Sequence, residues 1–177
     1  MKNDGYKIIT SEKTKIGRFE IVYDVIDHNG KQSPYSYVKM KKGVGVLGKV
    51  EDEIILLRQY RYIWDASFWE IPAGMVDDDE TPEEAAKREM EEETGYIVDK
   101  LEFLGKCYPS IGSTTEIQYL FYAECSKKSE QRLDDVESIS VCHYTENEFD
   151  RMINDGEFTH GMGLVAWAMY KNKWRHN

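Results

Sequence analysis

The chain has 177 residues, of which 41% are hydrophobic, and its formal net charge is −10 at pH 7. This length suffices for one substantial core, and the negative charge argues against a nucleic-acid backbone or an anionic membrane as a partner. No apolar run approaches the roughly 20 residues that cross a bilayer, and no secretory signal opens the chain, so we expect a cytoplasmic protein. The three cysteines form no C-x-x-C pair, which argues against a disulfide framework or a zinc site.

Runs rich in β-branched and aromatic residues predict strands along most of the chain. The predicted strands are Phe19–Ile26, Tyr35–Met40, Val44–Val50, Ile54–Tyr60, Phe68–Ile71, Leu101–Tyr108, Ile117–Cys125 and Ile139–Tyr144. Asn29-Gly30 predicts a hairpin turn after the first of them. Apolar residues at helical spacing predict two helices near the end, Glu146–Asn154 and Leu164–Lys173. The mixture predicts an α/β/α or α+β fold, with a β-rich subdomain over residues 1–40 and a main domain over residues 41–177.

Two apparent motifs are given no functional role. The run from Gly43 to Gly48 satisfies G-x-G-x-x-G, but another strand-like run follows it instead of the helix that a dinucleotide site requires. We therefore interpret it as a glycine-containing strand. The four histidines are too scattered for a zinc motif: His28, His143, His160 and His176.

A helix over Pro82–Thr94 is the most strongly predicted element. Thr81 and Glu84 have the spacing of a capping box, with Pro82 at the first helical position. Gly95 suits the C-terminal end of the helix.

Acidic residues on this helix predict a site for a hard cation. At about 100° per residue, Glu89, Glu92 and Glu93 fall within one arc. Three carboxylates on one face repel one another unless a cation or protons relieve them, and oxygen ligands favour Mg²⁺ or Mn²⁺ over zinc. The other acidic residues of the helix are interpreted as solvated surface: Glu83, Glu84 and Glu91.

The whole segment from Gly74 to Tyr96 resembles the Nudix box of nucleoside-diphosphate-X hydrolases. Gly74 is followed after five residues by Glu80 and, after seven more, by the run Arg88–Tyr96. Every fixed position of the pattern is filled, and the one departure is Tyr96, where the family usually has an aliphatic residue. The resemblance implies an α/β/α sandwich with a mixed sheet. It also implies that two or more Mg²⁺ (or Mn²⁺) ions bind to Glu89, Glu92 and Glu93, and that Arg88 orients a glutamate.

Three runs outside the box resemble the ADP-ribose pyrophosphatase branch of that family. They are Arg58-Gln59-Tyr60-Arg61, Glu70-Ile71-Pro72-Ala73-Gly74, and Pro109-Ser110-Ile111-Gly112 followed by Glu116. The resemblance implies that the Ala73 carbonyl is a further metal ligand and that Pro109 marks a preference for ADP-ribose. The branch more often has Pro-Ser-Pro-Gly, so Ile111 departs from it. A homodimer with a contact through the N-terminal subdomain is also implied.

Several residues are candidates for binding the substrate. The guanidinium groups of Arg58 and Arg61 are suited to pairing with pyrophosphate oxygens; the alternative is that both make surface ion pairs. Glu70 is included because it lies in a run that resembles the branch. Trp64 and Tyr35 are candidate platforms for the base, although most aromatic residues near them are expected in the core.

The attacking water also requires a general base. In the ADP-ribose branch a glutamate on a loop after the box often serves, and the run Leu133–Ile139 resembles that loop. Glu137 is the first candidate, followed by Asp135 and Glu116; each could instead be an exposed acid or a metal ligand.

These features predict hydrolysis of ADP-ribose, a small-molecule substrate, to AMP and ribose 5-phosphate. Two alternatives stay open. One is a pyrophosphatase for another nucleotide sugar, such as a GDP- or UDP-sugar. The other is a module that binds ADP-ribose without hydrolysing it, which the intact Arg88-Glu89 and Glu92-Glu93 pairs disfavour.

Overall fold

The computed structural model describes residues 4–133 and 137–174, which fall into two compact units. One contains the chain up to Lys41 together with Ser110–Glu116, and the other contains Lys42–Pro109 and the chain from Ile117 onward. The segment Ser110–Glu116 joins the first unit through backbone hydrogen bonds with Val38, whose N–H donates to Ser113 at 2.9 Å and whose carbonyl accepts from Thr115 at 3.0 Å. Such long-range pairing has no signal in a contiguous sequence window.

The first unit is a three-stranded antiparallel sheet in the order β1-β2-β3. Its strands are β1 (Tyr6–Ile16), β2 (Phe19–His28) and β3 (Lys31–Lys39). The predicted hairpin turn between β2 and β3 is confirmed, and Asn29 and Gly30 both have positive φ there, at 55° and 78°. Strand β1 was not predicted because its run of lysine, threonine and serine is exposed throughout and lacks a buried apolar face.

The second unit contains a seven-stranded mixed sheet in the order β10-β5-β4-β9-β8, with β6 paired to β5 and β7 to β4. Its strands are β4 (Gly43–Val50), β5 (Glu53–Arg61), β6 (Ala66–Glu70), β7 (Ala73–Met75), β8 (Tyr96–Cys107), β9 (Gln118–Lys128) and β10 (Ile139–Thr145). The pair β4–β9 is parallel and the other pairs are antiparallel. The glycine-rich run at Gly43–Gly48 is therefore part of a strand, as interpreted from the sequence.

Helices cover both faces of this sheet, so the predicted α/β/α sandwich is confirmed. They are α1 (Pro82–Thr94), α2 (Glu146–Asn154) and α3 (Gly161–Trp174). Successive residues of β5 alternate between two cores: Ile54 and Leu56 join Phe149 of α2 and Trp167 of α3 in one, whereas Ile55 packs in the other. That other core includes Ala85, Ala86 and Met90 of α1. No described helix is long and apolar enough to span a membrane.

Candidate active site

Local sequence signals fix both ends of α1. Thr81 Oγ1 accepts a hydrogen bond from the Glu84 N–H at 3.3 Å, and the Glu84 carboxylate accepts one from the Thr81 N–H at 2.8 Å. Pro82 opens the helix, and Gly95 ends it with a φ of 76°. The predicted helix bounds and capping box are thus confirmed, and they determine which glutamates share a face.

Strand β7 lies directly against this helix at Gly74. A Cβ atom added to Gly74 would overlap the carboxylate of Glu89. Because only a residue without a side chain permits this approach, Gly74 lets the Glu89 carboxylate rest against the β7 backbone.

Arg88 connects three glutamates of the segment. Its Nε and Nη2 atoms donate to the two Glu80 oxygens, each at 2.9 Å. Its Nη1 atom donates to Glu89 Oε1 at 2.8 Å and to Glu92 Oε2 at 3.0 Å. The fork with Glu80 raises the pKa of Arg88 and lowers that of Glu80. The guanidinium group of Arg88 therefore links the Glu89 and Glu92 carboxylates.

Glu93 is the most deeply buried carboxylate of the box. It is 4% exposed, and its Oε2 atom accepts a hydrogen bond from the Ala73 N–H at 2.8 Å. Burial raises the pKa of Glu93 well above its usual value, and it also raises the pKa of Glu89, where the hydrogen bond from Arg88 opposes the shift. The negative charge of Glu137 adds to both increases, so Glu137 lies within electrostatic range of the two box glutamates.

Arg61 and Glu70 form a fork-shaped ion pair near these carboxylates. Nε and Nη2 of Arg61 donate to the two Glu70 oxygens at 2.7 and 2.6 Å. The hydrogen bond with Glu70 raises the pKa of Arg61, and the charges of Glu93 and Glu137 add to that increase. Arg61, Glu93 and Glu137, which are candidates from three separate parts of the sequence, are thus within electrostatic range of one another.

His160 contacts this ion pair although the sequence assigned it no role. Its Nδ1 atom accepts a hydrogen bond from the Ile71 N–H at 3.3 Å, and its Nε2 atom lies 3.7 Å from Glu70 Oε2. Burial lowers the pKa of His160, which favours the neutral ring. No local pattern marks the residue, since its partners lie about 90 positions earlier in the chain.

A cleft of about 450 Å³ opens beside the ion pair. Its lining combines aromatic and apolar side chains with charged and polar ones: Arg61, Ile63, Trp64, Phe68, Glu70, Thr159, His160 and Gly161. Trp64 is 69% exposed, and its ring meets Phe68 edge-on at 6.5 Å between centroids. A lining of rings with a few fixed polar groups is typical of small-molecule sites.

The remaining candidates belong to other elements or lie outside the described residues. Arg58 holds its guanidinium over the Trp69 ring at 5.0 Å. Pro109 is exposed just beyond the end of β8. Tyr35 and Glu116 belong to the first unit, where the Tyr35 hydroxyl donates to the Gly112 carbonyl at 2.8 Å. Asp135 lies outside the described residues.

The oxygen atoms near α1 are ligands of the kind that hard divalent cations prefer. They belong to the carboxylates Glu89, Glu92 and Glu93 and to the Ala73 carbonyl, and the guanidinium of Arg88 already places positive charge between two of the carboxylates. No group of three or more His, Cys, Asp or Glu residues among 4–133 and 137–174 is arranged to hold an ion as it stands. Arg88 and the Ala73 N–H each engage one oxygen of these carboxylates, so metal binding would require the side chains to turn the second oxygen of each toward the ion.

The chain is similar to known proteins in both sequence and structure. The family model described as NUDIX domain matches residues 39–161. An ADP-ribose pyrophosphatase of Bacillus subtilis (strain 168) is 36% identical over 162 residues, which cover 89% of this chain and 88% of the relative. A GDP-mannose pyrophosphatase of Yersinia enterocolitica is 34% identical over 158 residues, or 81% of each chain. A crystal structure of an ADP compounds hydrolase superposes with a TM-score of 0.86 at 20% identity, over 97% of this chain and 95% of the other, which supports the fold.

Proposed function

The chain belongs to the Nudix family of hydrolases, and on that premise we propose that it hydrolyses ADP-ribose to AMP and ribose 5-phosphate with the help of Mg²⁺. The electrostatic influence of Glu93 and Glu137 on Arg61 carries the proposal, because a cation for the substrate and carboxylates for metal and water would then serve one site. The choice of ADP-ribose is supported by the B. subtilis relative, which aligns with 89% of this chain.

Metal ions would be held by Glu89, Glu92, Glu93 and the carbonyl of Ala73. When bound, Mg²⁺ or Mn²⁺ neutralises charge on the pyrophosphate and on the oxygens of the bond that breaks. Arg88 keeps two of these carboxylates in place by donating to Glu89 and Glu92 from one nitrogen. We expect two or more ions, since a pyrophosphate carries several oxygens that need compensation.

Arg61 would bind the pyrophosphate directly. The fork with Glu70 occupies its Nε–H and one N–H of Nη2, which leaves three N–H groups for an oxyanion. Glu70 thereby orients the guanidinium while remaining buried. Arg58 is a weaker candidate, since its guanidinium lies over Trp69.

Glu137 would act as the general base. It lies within electrostatic range of Glu89 and Glu93 and would accept the proton of the attacking water on a carboxylate oxygen. Glu116 and Asp135 are the second candidates. Glu116 belongs to the first unit, and Asp135 lies outside the described residues.

The base of the nucleotide would stack on an aromatic ring. Trp64 is the candidate on the cleft, with its ring largely exposed. Tyr35 is the candidate from the first unit. It would contact the base in a homodimer in which that unit contributes to the site. Pro109 is retained as a marker of ADP-ribose preference on resemblance alone.

A nucleotide-sugar pyrophosphatase is the second candidate function, because the Y. enterocolitica relative aligns with 81% of this chain. A substrate panel decides between the two. The full chain is incubated with ADP-ribose, GDP-mannose, a UDP-sugar and NADH in Mg²⁺ or Mn²⁺, and monophosphate release is measured. We expect the highest kcat/KM for ADP-ribose. A higher value for GDP-mannose would favour the second function, and ADP-ribose binding without AMP release would favour a sensor.

A further inference from the structure

The Glu70–Arg61 pair is asymmetric in its exposure. The side chain of Arg61 is 43% exposed, whereas that of Glu70 is 7% exposed. Both side chains line the cleft, and the guanidinium is the more exposed partner while the carboxylate is almost fully buried. A buried carboxylate holds one orientation only if fixed neighbours surround it, since water cannot compensate a lost contact there.

His160, which directly precedes α3 in the chain, is one such neighbour of Glu70. Its Nδ1 atom accepts from the Ile71 N–H, so the proton of the neutral ring is on Nε2. Nε2 lies 3.7 Å from Glu70 Oε2, which is an electrostatic contact longer than a hydrogen bond. The N–H of the ring thus faces the carboxylate that orients Arg61.

The ring of His160 is itself held in place. The backbone carbonyl of His160 accepts a hydrogen bond from the Leu164 N–H in the first turn of α3, at 2.9 Å. The Phe158 ring meets it at 6.3 Å between centroids. Through Ile71, the same histidine is tied to the segment that continues to Ala73, whose N–H donates to Glu93. His160 therefore joins the start of α3 to the strand segment that leads into the site.

We propose that His160 is a positioning residue that holds the Glu70–Arg61 fork in the orientation that binds the substrate pyrophosphate, an inference that rests on the proposed function. His160 acts through Glu70, and Arg61 makes the contact with substrate. Its loss weakens binding and leaves the chemical step largely intact, because none of the contacts given above for His160 is with a box glutamate.

Two substitutions separate the effect of the Nδ1 acceptor of His160 from that of its Nε2 donor. His160→Asn keeps an acceptor for the Ile71 N–H and loses the donor that faces Glu70. His160→Gln places a donor where Nε2 was. We expect His160→Asn to raise KM for ADP-ribose about tenfold with kcat within about threefold, and His160→Gln to stay within about threefold of the unchanged chain in both constants.

A double-mutant cycle with Arg61→Ala tests whether His160 acts through the fork. In the Arg61→Ala background, His160→Asn should have no further effect on KM or on the dissociation constant of ADP measured by calorimetry. ADP binding needs no turnover, so it reports on the fork separately from hydrolysis. His143→Gln is the matched control, because His143 contacts the Tyr96 hydroxyl at 3.0 Å and lies outside the cleft lining; its constants should stay unchanged.

The outcomes for the inference and for the proposed function are distinct. Equal KM and ADP affinity for His160→Asn and the unchanged chain, or effects that simply add in the Arg61→Ala background, would overturn the inference. A third outcome is that the unchanged chain binds ADP more tightly than His160→Asn but hydrolyses no substrate. That result would contradict the proposed function and leave the inference standing. Failure of the unchanged chain both to bind ADP and to hydrolyse ADP-ribose would overturn both.

Discussion

The carboxylate of Glu93 accepts a hydrogen bond from the backbone N–H of Ala73 at 2.8 Å, which ties α1 to β7. Glu93 is almost fully buried, and burial raises its pKa. A single N–H donor does not compensate a buried negative charge. In its ionised form this residue therefore lowers the free energy of unfolding, and a nearby cation would relieve that cost.

Replacing Glu93 by Gln should abolish most of the activity without destabilising the protein. The amide removes one negative metal ligand, so kcat for ADP-ribose should fall by a factor of about 100 or more at saturating Mg²⁺. Steady-state kinetics and thermal unfolding measure the two effects. Glu91→Gln is the matched control, because Glu91 pairs with Arg132 at 3.2 Å on another face of α1. Near-normal kcat for Glu93→Gln would contradict the assignment.

The stability of the protein in EDTA should depend on pH through Glu93. Its folded pKa lies above that of an unfolded glutamate, about 4.3, so the folded state holds the proton over the interval between the two values. The stabilisation that comes from the protonated Glu93 carboxyl is present at low pH and is lost as the pH rises through the folded pKa. The Tm of the unchanged chain relative to Glu93→Gln should therefore fall as the pH rises above the pKa of an unfolded glutamate, about 4.3, toward the folded pKa. A constant difference would show that Glu93 titrates normally.

Gly74→Ala should disturb the site through Glu89. An added Cβ overlaps the Glu89 carboxylate, so the side chain must leave its place beside β7 and Arg88. We expect kcat to fall at least about tenfold and the Mg²⁺ concentration for half-maximal rate to rise. Gly112→Ala is the control, since a Cβ there meets nothing within 4 Å. Unchanged metal dependence in Gly74→Ala would show that Glu89 is not a ligand.

Glu137→Gln should remove the general base. The amide cannot accept the proton of the attacking water, so kcat should fall by about 10²–10⁴ with little change in KM. Glu130→Gln, an exposed acid in the same part of the chain, should leave both constants unchanged. Nearly full activity of Glu137→Gln would transfer the role to Glu116 or Asp135.

Local signals predicted the parts of the fold and site that local physics determines. The bounds of α1 were predicted from Thr81, Pro82 and Gly95 because caps and stops act within a few residues. The strand Ile54–Tyr60 was predicted from its apolar and aromatic residues in the same way, and it lies within β5.

Long-range contacts could not be predicted in this way. The contact of His160 with Glu70 joins residues on different elements, and no periodicity encodes it. Likewise, the sequence suggested either phosphate contacts or ion pairs for Arg58 and Arg61, and the contacts with Trp69 and Glu70 emerged only from the packing of β5 on β6. Substrate choice depends on such contacts, so it was the least predictable part of the site.

The most direct test of the account identifies the products of ADP-ribose in H₂¹⁸O by mass spectrometry, with the full chain and Mg²⁺. Metal-dependent hydrolysis of the pyrophosphate bond predicts AMP and ribose 5-phosphate in equal amounts, with one ¹⁸O atom in one of the two, and no products in EDTA. Intact ADP-ribose after prolonged incubation, or release of ADP instead of AMP, would contradict it.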